Sequence, residues 1–140
     1  MLTDRHADRL RGVFAAHPAV RGAFVFGSVA TGRARERSDL DLGIVVDAEE
    51  WDRDDKVPLI SDCMEAAERD WIDLVVLNDA PLVLQFEAVR HHNILYEATG
   101  FHAASFVSKV VRMYWDFEPH LRRQRKAYKK RRLSQADGSA

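Results

Sequence analysis

Apolar positions along the chain recur in two rhythms. From Asp4 to Ala16 they fall at Leu10, Val13 and Phe14, the spacing of an amphipathic helix, with Thr3 as N-cap and His17-Pro18 as its end. Val20 to Phe26 predicts a strand that closes on a Gly27-Ser28 turn. Ser28 to Thr31 has room for one helical turn, ended by Gly32. Asp39 to Val46 predicts a second strand, apolar beyond its first residues and so central in a sheet. After an acidic loop, Asp47 to Asp55, the pattern predicts a helix from Val57 to Arg69, a third strand from Trp71 to Leu77 and a helix from Leu82 to Arg90. A short last strand follows at Ile94 to Glu97, with Asn93 in the turn before it. From His102 the rhythm is helical again, with Phe106, Val110, Met113, Phe117 and Leu121 on one stripe. Pro119 predicts a break and a new helix. The expected organisation is a core domain over 1–100, a helical extension packed on it over 101–133, and a disordered tail over 134–140.

Composition narrows the class. The chain has 140 residues, 46% hydrophobic and 31% charged, as a soluble globular domain does. No apolar run approaches the roughly 18 residues of a membrane span, and the start lacks the apolar core of a signal peptide. One cysteine, Cys63, leaves no intrachain disulfide, and its place on a predicted helix among Met64, Ala66 and Ala67 reads as buried and inert. A cytoplasmic location is the expectation. The net charge of −1 conceals an asymmetry: Arg122 to Arg132 holds eight Lys or Arg in eleven positions, leaving 13 basic against 22 acidic residues elsewhere. An acidic body with a basic tail suggests a solvated helix end or an anchor for an acidic protein surface, with RNA the lesser alternative.

The candidate chemistry lies at the junction of the first two strands. Asp39 and Asp41, two apart on a strand, share one face, while Leu40 and Leu42 take the other. Two adjacent carboxylates repel unless a cation lies between them, and oxygen-only donors suit Mg²⁺, or Mn²⁺ in its place. Gly27 would let the backbone approach a phosphate, and Ser28 would donate to it. Asp73 is a lone carboxylate in an otherwise apolar strand and needs a partner. If it meets Asp39 and Asp41, three carboxylates make a two-cation site for attack of a hydroxyl on the α-phosphorus of a nucleoside triphosphate. Taken singly, each feature has a plainer reading: a common turn, a polar strand entrance, an edge aspartate facing water. No P-loop and no His-Glu-x-x-His is present, and the adjacent His91 and His92 face apart.

Gly27-Ser28, ten residues, Asp39-Leu40-Asp41 and then Asp73 on a later strand resemble the DNA polymerase beta-like nucleotidyltransferase superfamily. The short length and Arg33 after Gly32 resemble its minimal nucleotidyltransferases, which include MntA-type antitoxins paired with HEPN ribonuclease toxins. The resemblance covers roughly Val20 to Glu97. It implies an α/β (α+β) nucleotidyltransferase fold, a small mixed sheet with helices packed on it and a C-terminal helical tail. It further implies two Mg²⁺ ions held by Asp39, Asp41 and Asp73 as the catalytic set, and ATP as substrate on Gly27, Ser28 and Arg33. For the antitoxin branch it implies transfer of AMP to a tyrosine of a cognate HEPN toxin. The chain departs from the pattern at Thr31, where a basic residue is usual, and at Asn93, where a glycine is usual. Arg33, Arg35 or Arg37 would have to supply the phosphate contact, Arg33 first among them. Two rival readings stand beside this one: a binding module that neutralises its partner sterically, and a nucleotidyltransferase for a small molecule of the aminoglycoside kind.

Overall fold

A computed structural model describes residues 2–27 and 39–138, and along the last helix the side chains through 127 together with 129 and 130. Helix α1 (Asp4–Ala15) leads into β1 (Val20–Phe26) and β2 (Leu40–Val46). Helix α2 (Lys56–Ala67), β3 (Ile72–Val76), α3 (Leu82–Val89), β4 (Ile94–Glu97) and α4 (Ala103–Gly138) follow. The sheet order is β3-β2-β1-β4, antiparallel except for the β2–β3 pair, so the sheet is mixed and the most apolar strand is interior.

Alternation along the strands sorts side chains onto two faces. Leu40, Leu42, Ile44, Ile72 and Leu74 point to one, where Leu10 and Phe14 of α1 and Leu59, Cys63 and Ala67 of α2 bury them completely or nearly so. Phe24, Val45 and Leu77 point to the other, under Ala88 and Val89 of α3 and Ala103, Val107 and Val110 of α4. Full burial of each Val, Leu, Ile or Phe among these contributes about 1.5–3 kcal/mol, enough to hold helices too short to be stable alone.

Local chemistry fixes the ends. The Thr3 side chain accepts from the His6 amide at 3.1 Å and caps α1. Helix α2 stops at Glu68, which is left-handed at φ 52°, and His6 and Arg9 of α1 reach that carboxylate at 2.9 and 3.4 Å. Glu97 accepts from the Ala103 amide at 2.9 Å and starts α4. The Asn78 side chain bonds both the amide and the carbonyl of Val46 at 2.9 Å, extending the β2–β3 pairing by one step.

Two expectations are corrected. Pro119 breaks nothing, since α4 is continuous through it. Proline removes one helical hydrogen bond, but here both Pro119 and Trp115, whose carbonyl loses its donor, are exposed, so water can take the vacant acceptor. Helix α4 also runs to Gly138, past Ser134, where the disordered tail was expected to begin. The apolar stripe is buried only in its first half: Val107 and Val110 are covered, Tyr114 stacks on Phe86 at 3.8 Å, and Met113, Trp115 and Phe117 are exposed. In the turn before β4, His92 is left-handed, at φ 56°.

Candidate active site

Strands β2 and β3 run parallel in a register that sets Leu40 beside Ile72, Asp41 beside Asp73 and Leu42 beside Leu74. Asp41 and Asp73 are therefore direct neighbours on the face that carries Val45 and Leu77 further along. They sit at the N-terminal ends of β2 and β3. Phe26, the last residue of β1, pairs with Asp41 on its other side, which brings Gly27 against it. The backbone of Gly27 is left-handed, φ 72°, and a Cβ there would lie inside the contact shell of Asp41 Oδ2 and 3.1 Å from Asp41 Cγ. Glycine is needed twice over at this position, for the dihedral and for the space.

The electrostatics follow from the register. Asp41 is half-buried and Asp73 exposed. Burial pushes the Asp41 carboxyl above its ordinary range; the charge of Asp73 and a hydrogen bond shared with it push the same way, and the charge of Asp39 adds to them. Asp73 is held from its far side by the indole of Trp71, whose Nε1 donates to Oδ1 at 2.8 Å.

The structure thus brings Asp41, Asp73 and Gly27 together. Asp39 directly precedes β2 and acts on Asp41 through its charge. Among the described residues no three His, Cys, Asp or Glu side chains are gathered closely enough to hold a metal ion by themselves. Ser28 and Arg33 lie outside the described residues, as does the turn expected over Ser28 to Thr31. Trp71 was read only as the start of a strand. Its signal was present, because a donor two residues before Asp73 on a strand shares its face. Cys63 is fully buried, and burial, with the neighbouring charge of Asp62, pushes its thiol up to about 12, so it is no nucleophile.

A mixed sheet with two carboxylates on adjacent parallel strands, beside a left-handed glycine at the end of the preceding strand, defines a nucleotidyltransferase-type fold. Residues 8–99 match the family described as Polymerase beta, Nucleotidyltransferase, and the chain belongs to that family. No protein of curated function matches it. Among solved structures, it is similar to a toxin–antitoxin crystallised with AMP-PNP, at 24% identity and TM-score 0.69 over 89% of this chain and 95% of that one. The toxin–antitoxin MntA-HepT aligns at 22% identity and TM-score 0.66 over 91% and 97%. A complex of MNT antitoxin with tri-AMPylated HEPN toxin from Shewanella oneidensis aligns at 22% identity and TM-score 0.64 over 89% and 93%. Among the described residues no helix is long and apolar enough to cross a membrane.

Proposed function

We propose that this chain transfers AMP from ATP to a protein hydroxyl, a tyrosine of a cognate HEPN toxin, and so acts as that toxin's antitoxin. The observation that carries the reading is the register of Asp41 with Asp73 beside Gly27. Two carboxylates in contact, one of them pushed toward its protonated form by its own burial and then by the other, are unfavourable unless a cation joins them. That donor set, all oxygen and anionic, fits Mg²⁺ or Mn²⁺. Asp41 and Asp73 would hold it, with Asp39 adding negative charge. When bound, such an ion offsets the charge of the triphosphate and of the attacking oxygen.

The residues themselves have separable parts. Gly27 leaves the space in which the Asp41 carboxylate sits and presents backbone to the phosphates. Asp73, exposed on the outer strand, is the carboxylate an incoming hydroxyl meets first. The hydroxyl oxygen bonds to the α-phosphorus, the bond from that phosphorus to the β-phosphate oxygen breaks, and pyrophosphate leaves. The hydroxyl proton passes to Asp73 and then to water. Trp71 fixes the orientation of Asp73 by its hydrogen bond. Support for AMP as the transferred group and a toxin as acceptor comes from the neighbouring structures with AMP-PNP and with a tri-AMPylated HEPN toxin.

The test is incubation with α-labelled ATP, Mg²⁺ and a cognate HEPN protein. Label should enter the partner at a tyrosine, located by mass spectrometry. A bound partner that stays unlabelled and is nevertheless neutralised would leave steric inhibition as the function.

A further inference from the structure

Among the described residues, Asp73 lies on an edge strand. In the order β3-β2-β1-β4, only β2 pairs with β3 among the described residues, so β3 has an outer edge whose backbone groups have no partner strand. A cleft of about 460 Å³ touches Leu74, Val75 and Val76 in succession. Consecutive strand residues point to opposite faces, so a cleft in contact with all three runs along the edge, not over a face. Trp51, Arg53 and Lys56 line it from the side of α2, and Asp79 from the side of α3. Among the described residues neither Arg53 nor Lys56 forms an ion pair. Two cations beside an aromatic ring, in an otherwise acidic body, are oriented toward a strand edge that leads to Asp73. From Asp73 to Val76 is three residues, about 10 Å along an extended chain.

We propose that the acceptor protein docks as an added strand on the outer edge of β3. An acidic side chain two or three residues from the acceptor hydroxyl would lie between Arg53 and Lys56. Backbone hydrogen bonds to Leu74–Val76 hold the segment, and the paired charges set how far it slides, which brings the hydroxyl level with Asp73. This inference rests on the proposed transfer reaction for its acceptor, but the docking can be read without any transfer.

The experiment has two arms. Amide hydrogen exchange of the chain with and without its HEPN partner should show protection at Leu74 to Val76 on binding. In the second arm, Arg53→Glu combined with Lys56→Glu is assayed with ATP and Mg²⁺ against increasing partner. Arg53 is exposed, and Lys56 is the first residue of α2, where a carboxylate suits the helix N-terminus, so the fold tolerates both changes. KM for the partner should rise roughly tenfold or more, as expected for reversal of charges at an interface, while the thermal shift produced by ATP and Mg²⁺ stays that of the parent chain. Changing the acidic residues of the partner's segment to lysine should restore binding to the double variant. Partner binding that protects other strands and leaves Leu74 to Val76 exchanging freely overturns the proposal. So does an unaltered KM, or a concentration-dependent dimer of the chain alone that protects the same amides, which would make a second copy the occupant. Protection at the edge with no labelling of the partner would instead retain the docking and remove the transfer reaction.

Discussion

Replacing Gly27 by alanine separates the demands of the site from those of the fold. An L-residue at φ 72° costs roughly 1–2 kcal/mol. With stability changing by that much, Tm should fall by roughly 3–8 °C for a chain of this size. The second effect is local. The new methyl group overlaps Asp41 Oδ2 and lies 3.1 Å from Cγ, so the carboxylate must move away, by about an ångström to regain ordinary contact. A misplacement of that size at reacting groups lowers rates by about 100-fold. Gly22→Ala is the matched control, since it places a methyl against the ring of Phe101 at the far end of the same strand, where Gly22 faces Glu97. It should lower stability by about 1–3 kcal/mol through overpacking and leave the transfer rate alone. Urea denaturation together with initial rates of AMP transfer from labelled ATP distinguishes the two. If Gly27→Ala transfers AMP at the rate of Gly22→Ala, the position of Asp41 against Gly27 is not what the chemistry requires.

Three further outcomes follow from the same physics. The Glu68 carboxyl is held below its ordinary value, first by its hydrogen bond with His6 and then by the charge of Arg5. Its contribution to stability is therefore full above the unfolded value of about 4.5 and is lost as pH falls through the lower folded one; Glu68→Gln should flatten the Tm profile below pH 5 and leave its slope above pH 6 as it was. Cys63 should resist a thiol reagent at pH 8 until the protein is unfolded, and Cys63→Ser should cost about 1–3 kcal/mol because a hydroxyl replaces a buried apolar group. Pro119→Ala restores a helical hydrogen bond in an exposed stretch and should stabilise α4 by up to about 3 kcal/mol, read as a higher and later-melting helical signal in circular dichroism.

The parts of the fold legible in the sequence are those set by local period. Strand alternation places Asp39 and Asp41 on the face opposite Leu40 and Leu42, and it predicts that the apolar second strand is interior. Helical spacing locates α1, and Thr3 marks its cap. The pairing of Asp41 with Asp73 is a matter of long-range register. Nothing within either strand fixes it, although a one-residue slip would turn Asp73 toward Leu59 and Cys63 and bury a charge. The plainer reading of Asp73 as an exposed edge aspartate was right about its exposure and its edge strand, but that strand lies next to Asp41. Pro119 was misread because propensity was taken as evidence of a break, whereas this stretch of α4 is exposed and water can take the vacant acceptor. Periodicity located the α4 stripe but left open what covers it, and Met113, Trp115 and Phe117 are exposed. Trp71 escaped notice because aromatic residues are common at strand starts, and only its spacing from Asp73 distinguishes it.

The pairing of the two carboxylates is tested most directly by Asp41→Asn and Asp73→Asn, each measured for AMP transfer and for unfolding free energy. Removal of either charge relieves repulsion in the ligand-free protein, so each variant should be at least as stable as the parent chain while transfer falls by about a thousandfold or more. An Asp73→Asn protein that still labels its partner at the parental rate would contradict the account, because the neighbour of Asp41 on β3 would then have no part in the reaction.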